Sequence, residues 1–274
     1  MTQDKIRIFL TVLIATISGD TLNFLHAQSL HQANWTQDDF AALRERAQEE
    51  LEFGMRYNGL ETAKATLMAS FSRNGEQAHL QWHVRTRPFY DLLFPIDNLY
   101  ESWLDVTSGQ LIRSRKRIEQ KNIRQSLDIT YNAEKNVAFS DQNISWPSCA
   151  NRLDLLTLLF FLRTRSMHTG DSLVINLDIE SQLWQATGRV ERADERSMAQ
   201  LGADQTITFK LKPLAEMTPR SWKTDLLTHR ISRSSSRVTV FRRTMPRVDL
   251  VLLQFGTPGS SVEMRLKKVK RGSK

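Results

Sequence analysis

The chain has 274 residues, of which 40% are hydrophobic and 25% charged, with a formal net charge of +8. The apolar fraction supports a real core, and the positive balance favours anionic partners such as nucleic acid, phospholipid headgroups or acidic polysaccharide. A lone cysteine, Cys149, excludes an internal disulfide and any CxxC zinc or redox motif.

At the start, Lys5 and Arg7 precede the apolar run "IFLTVLIATISG" (8–19), which is short for a membrane span. "LHA" offers a cleavage site after Ala27. These features predict a signal peptide over 1–27 and an exported, periplasmic protein that is not integral to the membrane after cleavage. Anchoring by an uncleaved N-terminal segment is the alternative.

Residues 28–50 read as an N-terminal segment with a short amphipathic helix. In "TQDDFAALRERAQEE" (36–50), Thr36 can cap the backbone near Asp39, and Phe40, Leu43 and Ala47 share one helical face. The period then changes to two. Leu51, Phe53, Met55 and Tyr57 alternate up to a "YNGL" turn. Ala63 to Phe71 and Ala78 to Val84 alternate on either side of "RNG". Similar runs follow at Tyr100–Val106, Leu127–Tyr131 and Val137–Phe139. After Gly170-Asp171 they resume at Leu173–Ile179, Trp184–Val190 and Ile207–Leu211. The last are Val238–Val240, Val248–Leu252 and Val262–Leu266, the final two joined by "GTPGS".

Between these runs stands "NRLDLLTLLFFLRTRSMHTGD" (151–171). A helix over 153–162 would extend ~15 Å, half of a bilayer core of ~30 Å, so a membrane anchor is rejected. Asn151 and Asp154 suit its start, and Arg163 and Arg165 its negative end. Apolar residues surround it instead of forming a stripe, so burial on nearly all sides is expected. It either plugs the core or forms a lid over a ligand, with Leu156 and Phe160 as candidate ligand contacts. Arg163 either pairs inside the fold or is free for a ligand.

The pattern predicts an all-β fold: one antiparallel, strongly curved sheet or partly open barrel of about eleven strands, with one short buried helix. Residues 51–268 form a single domain, and 269–274 are a basic tail.

Chemical motifs are scarce. The chain has no G-x-S-x-G elbow, H-E-x-x-H, P-loop or dinucleotide fingerprint. "GTPGSS" lacks the P-loop Lys and precedes a strand. His79 and His83, four residues apart on a strand, stand ~13 Å apart and cannot share a zinc ion unaided. No cofactor, metal or catalytic residue is expected, and the protein is expected not to be an enzyme. The strongest charge feature is "IRSRKRIEQKNIR" (112–124), where Arg113, Arg115, Arg117 and Lys121 share a strand face. A second basic group comprises Arg230, Arg233, Arg237, Arg242, Arg243 and Arg247. The 112–124 strand carries no stacking aromatic, and export separates the chain from nucleic acid, which argues against that ligand. The face is either a solvated outer surface or a contact for anionic lipid or glycan.

The order of "LEFGMRYNGLETAKATLMAS", "LLFPIDNLYESWLDVTSGQL" and "LLTLLFFLRTRSMHTGDSLVINL" resembles the bacterial exported family called domain of unknown function 3108. The likeness runs from about Leu51 to Leu266. Arg163, Gly170 and Asp171 match the family's short apolar segment ending in Arg and its Gly-Asp turn. The resemblance implies an export signal, an all-β fold, no established activity and no catalytic residues. The chain departs from the pattern at "RADERSMAQLGADQ" and "ISRSSSRVTVFRRTMP". Together these readings predict a non-enzymatic envelope protein that binds or carries an apolar or anionic envelope molecule. The alternative is a scaffold whose basic face meets anionic glycan or a protein complex.

Overall fold

Alternating apolar and polar side chains give a sheet with one covered face and one wet face. The computed structural model describes residues 30–32, 34–179, 181–214, 237–257 and 260–271. The first half is a meander: β2 (Glu49–Tyr57), β3 (Leu60–Phe71), β4 (Gln77–Thr86), β5 (Asp97–Asp105), β6 (Leu111–Gln120), β7 (Ile123–Asn132), β8 (Val137–Ser140) and β9 (Ser145–Pro147). The second half is β11 (Ser172–Ile179), β12 (Gln182–Arg192), β13 (Gln205–Pro213), β14 (Arg237–Arg243), β15 (Asp249–Thr257) and β16 (Ser260–Arg271). Strand β16 pairs back onto β2 and joins the two meanders into one sheet. Beside β11 lie two short parallel strands, β1 (Leu30–Gln32) and β10 (Arg152–Asp154). Fifteen strands therefore follow one another in pairing order, and β10 pairs off that path.

About eleven strands were expected. The three-residue strands β1, β9 and β10 are too short to show a period, because they take their place from partners distant in sequence. The 112–124 run is not one strand: it crosses from β6 through a turn at 121–122 into β7. The basic tail also begins later than expected, since Val269, Lys270 and Arg271 extend β16 opposite Leu51, Glu50 and Glu49.

The sheet curls until its edges meet, and no ladder joins β9 to β11 among the described residues. Side chains bridge the seam instead. Trp146 Nε1 on β9 donates to Asp178 Oδ2 on β11 at 3.2 Å. Gln110 Nε2 donates to Asn151 Oδ1 at 2.7 Å, and Asn151 N donates back to Gln110 Oε1 at 3.1 Å. The fold is a partly open barrel.

Inside it runs the core helix Leu155–Thr164, starting two residues later than the sequence suggested because Leu153 is claimed by β10. Its nine residues from Leu155 to Arg163 are all buried. Each Leu or Phe so covered contributes ~1.5–3 kcal/mol over an exposed one. The N-terminal helix Gln37–Arg44 covers one end of the wrap. Thr36 and Asp39 form its capping box, while Trp35 stacks on Phe40 at 5.1 Å and meets Phe161 of the core helix edge-on at 6.0 Å.

On β12, Gly188 lets Phe209 of β13 lie flat against the strand. A Cβ there would stand 2.8 Å from the fully buried Phe209 ring. Gly188→Ala is expected to lower stability by about 1–3 kcal/mol in a denaturant titration, the usual cost of overpacking.

Candidate functional site

A helix enclosed by a sheet must have its terminal N–H and C=O groups satisfied by protein. At the C-terminal end of the core helix this produces a knot of charge. Arg46 Nη1 donates to the carbonyls of Arg163 at 3.1 Å and Val248 at 2.6 Å. The Arg163 side chain, only 2% exposed, reaches Asp249 Oδ1 at 3.2 Å and also pairs with Glu49, both carboxylates being 5% exposed. Arg247 pairs with Glu49 as well, and Arg243 Nη2 lies 3.4 Å from Asp249. Arg165 caps the helix, pairs with Asp39 at 2.8 Å and lies over Phe161. Burial raises the Glu49 carboxyl, but hydrogen bonds from Arg163 and Arg247 outweigh it and hold the group below its ordinary range. Burial lowers Arg242, to about 10; its Nη2 donates to Arg165 O at 2.8 Å. Arg163 is thus committed inside the fold. Arg230 and Arg233 lie outside the described residues.

At the other end of the helix, Asp154 accepts from Thr157 N at 2.8 Å and from Ser102 Oγ. Asp178, its register partner on β11, is buried beside it. Burial raises the Asp178 carboxyl to about 6, against the Trp146 hydrogen bond that lowers it. Arg152, 1% exposed, stacks over Tyr131 at 4.2 Å and donates to Leu111 O at 3.2 Å. The pocket here measures about 30 Å³ and touches Ser102, Ser114, Asp154, Leu156 and Asp178. That is room for one water. Two adjacent acids, one held protonated up to about pH 6, have acid–base character but no space for a substrate.

The other candidates from sequence lie apart. Phe160 is 2% exposed in the core. Gly170, at φ 103°, donates its N–H to Val190 O at 2.8 Å, and Asp171 accepts from His168 N at 2.8 Å. They build the turn into β11, remote from the pocket. On the outer face, Arg113 Nε donates to Asp128 Oδ1 at 2.7 Å. Arg115 lies 3.2 Å from Asp128 and 3.6 Å from Glu101. Arg117 pairs with Glu119 at 3.6 Å and stays half exposed. An aromatic is present after all: Trp103, opposite Arg113 on β5, lies under both Arg113 and Arg115 and stacks on His79 at 4.6 Å. Strand pairing brings it there from outside the basic run. Burial lowers the His79 imidazole, against the pull of Glu101. No group of three metal-ligating side chains occurs among the described residues.

A feature without a sequence motif is the opposite end of the wrap from the charge knot. Tyr57 and Leu60 face each other across the β2–β3 turn there, near Val262, and the 87–96 connection leaves the same edge, with Arg87 N bonded to Thr62 O. Phe89, Leu92, Leu93 and Phe94 are 73%, 88%, 64% and 41% exposed, and Leu60 is 62% exposed. Within this end a second pocket, of about 60 Å³, lies among Met55, Ala63, Val84, Asn98, Tyr100 and Val262. Composition carries the signal, because "PFYDLLFP" (88–95) is an apolar run with a proline at each end and no strand period.

A family model described as "Protein of unknown function (DUF3108)" matches residues 52–235. The chain belongs to this family. No match was found among curated proteins. A solved structure described as a beta-barrel-like protein of domain of unknown function DUF1849, from Brucella abortus, is similar in fold. It has a TM-score of 0.50 and 8% identity, covering 82% of this chain and 98% of that one. The likeness is to the curled sheet described above.

Both ends of the helix make predictions for this DUF3108 member. Arg163→Ala leaves Glu49 and Asp249 buried with less countercharge and is expected to cost about 3–5 kcal/mol in chemical denaturation. Asp178 binds its proton more tightly folded than unfolded, so its contribution falls as pH rises between its ordinary value of 3.8 and about 6. Asp178→Asn keeps an acceptor for Trp146. It is expected to flatten that slope and raise stability at pH 7 by up to about 3 kcal/mol. Denaturation midpoints at pH 4, 5, 6 and 7, values about the window of the shift, give the measurement.

Proposed function

We infer that the protein is a non-catalytic, exported envelope protein that binds an anionic amphiphile at the open, apolar-rimmed end of its wrap. The observation that carries this reading is the coincidence, at one end, of exposed Phe89, Leu92, Leu93 and Phe94 with the pocket walled by Met55, Ala63, Val84 and Val262. The ligand is only partly enclosed. The core helix fills the barrel, and about 60 Å³ is far below the ~300–1,000 Å³ of pockets that enclose a small molecule. The pocket takes the tip of an acyl chain, and the rim takes its shaft. Export is supported by the N-terminal apolar segment after Lys5 and Arg7. The basic-face scaffold reading is weaker, since Asp128 and Glu101 already hold Arg113 and Arg115.

Titration calorimetry with a short-chain anionic amphiphile below its micelle concentration tests this reading. Ala63→Val adds two carbons to the pocket wall and should weaken binding about tenfold, the equivalent of two displaced methylenes. Equal affinity in the variant and the parent would exclude the pocket.

A further inference from the structure

The apolar loop 88–95 is larger than a chain-tip pocket needs. Four of its side chains point to solvent, Leu92 at 88%. A soluble surface seldom gathers large apolar residues at that exposure without a covering partner. We propose that this end of the wrap docks on the interfacial layer of an anionic phospholipid bilayer, with Phe89, Leu92, Leu93 and Phe94 inserted among the acyl chains. The proposal rests on the amphiphile-binding reading of the same end and names the surface from which the amphiphile is taken or to which it is returned.

Charge favours a lipid surface as the occupant. Around the loop stand Arg56, Arg85, Arg87, Arg117, Lys121 and Arg124 against Glu61, Asp91, Asp97 and Glu119, a net positive collar. Arg85, Arg87 and Arg117 keep 67%, 51% and 53% of their side chains exposed. Lys121 donates to Leu93 O at 3.3 Å, which holds an ammonium beside the apolar tip. Apolar side chains below a ring of Arg and Lys match the layering of acyl chains beneath anionic headgroups. The acids nearest the loop are occupied: Glu61 by Arg87 and Lys267, Asp97 by Arg85 and His83, Asp91 by Thr86. The same pairs take up Arg85, Arg87 and Lys267, and Asp91 keeps its charge beside a hydroxyl, so the net positive charge of the collar comes from Lys121 and Arg124. The backbone is braced as well, because Arg87 N is tied to Thr62 O and both Tyr90 and Asp91 N–H groups return to Arg87 O.

The full chain carries its own apolar N-terminal segment, so vesicle binding alone would not locate the contact. An environment-sensitive dye at Leu92→Cys, in a Cys149→Ser background, reports the loop. The same dye at Met245→Cys, exposed at the opposite end beyond β14, is the control. With vesicles containing phosphatidylglycerol, the Leu92 dye is expected to be quenched by acyl-chain nitroxides and shielded from aqueous iodide, while the Met245 dye stays open to iodide. Leu92→Asp with Leu93→Asp should cut partitioning of the loop about tenfold, whereas Ala63→Val, in the pocket wall, should weaken short-chain amphiphile binding and leave that partitioning unchanged. A Leu92 dye that remains open to iodide on bound vesicles overturns the docking proposal. So does shielding that grows with protein concentration without lipid, which would mean that a second copy covers the loop. Docking that persists while amphiphile binding is absent removes the pocket reading and keeps the bilayer contact.

Discussion

The structure depends on one constraint: a ten-residue apolar helix lies inside a sheet, and its unpaired backbone ends have no water to turn to. Four N–H groups at its start and four carbonyls at its finish each need a partner. Asp154 and Thr157 supply the start through a reciprocal capping box. At the finish Arg165 N–H and Thr164 Oγ1 reach the Phe161 carbonyl, and Arg46 reaches the Arg163 carbonyl from the N-terminal segment. The helix therefore draws in pieces of chain far from it in sequence. Arg46 stands 117 residues from the carbonyl it meets, and Glu49 stands 114 residues from Arg163.

Burying charge to satisfy a helix end is costly, and the knot around Arg163 shows how the cost is contained. One guanidinium faces two carboxylates, and Arg247 and Arg243 at the rim balance the surplus negative charge. An apolar set of equal volume could give more stability, but it would not fix the helix in one axial position. Glu49 begins β2 and Asp249 begins β15, on either side of β16, so the same ion pairs hold the join between the two meanders. Charge supplies register here, and the apolar face supplies the energy.

How much of this was legible in the sequence follows from the range of each interaction. The core helix was readable because ten residues without a polar stripe allow little else, and Asp154 and Arg163 marked its ends. The long hairpins were readable because alternation and Asn-Gly or Gly-Asp turns are local. The edges were not. Strands β1, β9 and β10 carry three residues each, and only their partners make them strands. The basic strand looked free because its counterions, Asp128 and Glu101, are supplied by pairing across β7 and β5. Trp103 reaches the basic face through the same pairing. The exposed loop 88–95 was present in the sequence as apolar letters. The flanking prolines and missing period set it apart from the strands, while its exposure follows only from the fold.

The two ends of the wrap are consequently unlike. One is locked: its cations are turned inward onto Glu49, Asp249 and buried carbonyls, and the N-terminal helix covers it. Among the described residues, the other carries only the one-turn helix Pro88–Asp91, none of whose residues is buried. Its strands end in Tyr57, Leu60 and the 88–95 loop, whose apolar side chains gain nothing for the fold by facing water. Stability alone would favour polar residues there, because exposed leucines and phenylalanines promote association and add no packing. The helix fills the interior and the Arg163 knot holds it, so entry deep into the wrap would mean moving the helix. Binding through the rim needs no such movement. One end is thus fixed by buried charge and the other left apolar and braced, and the proposed docking rests on that contrast.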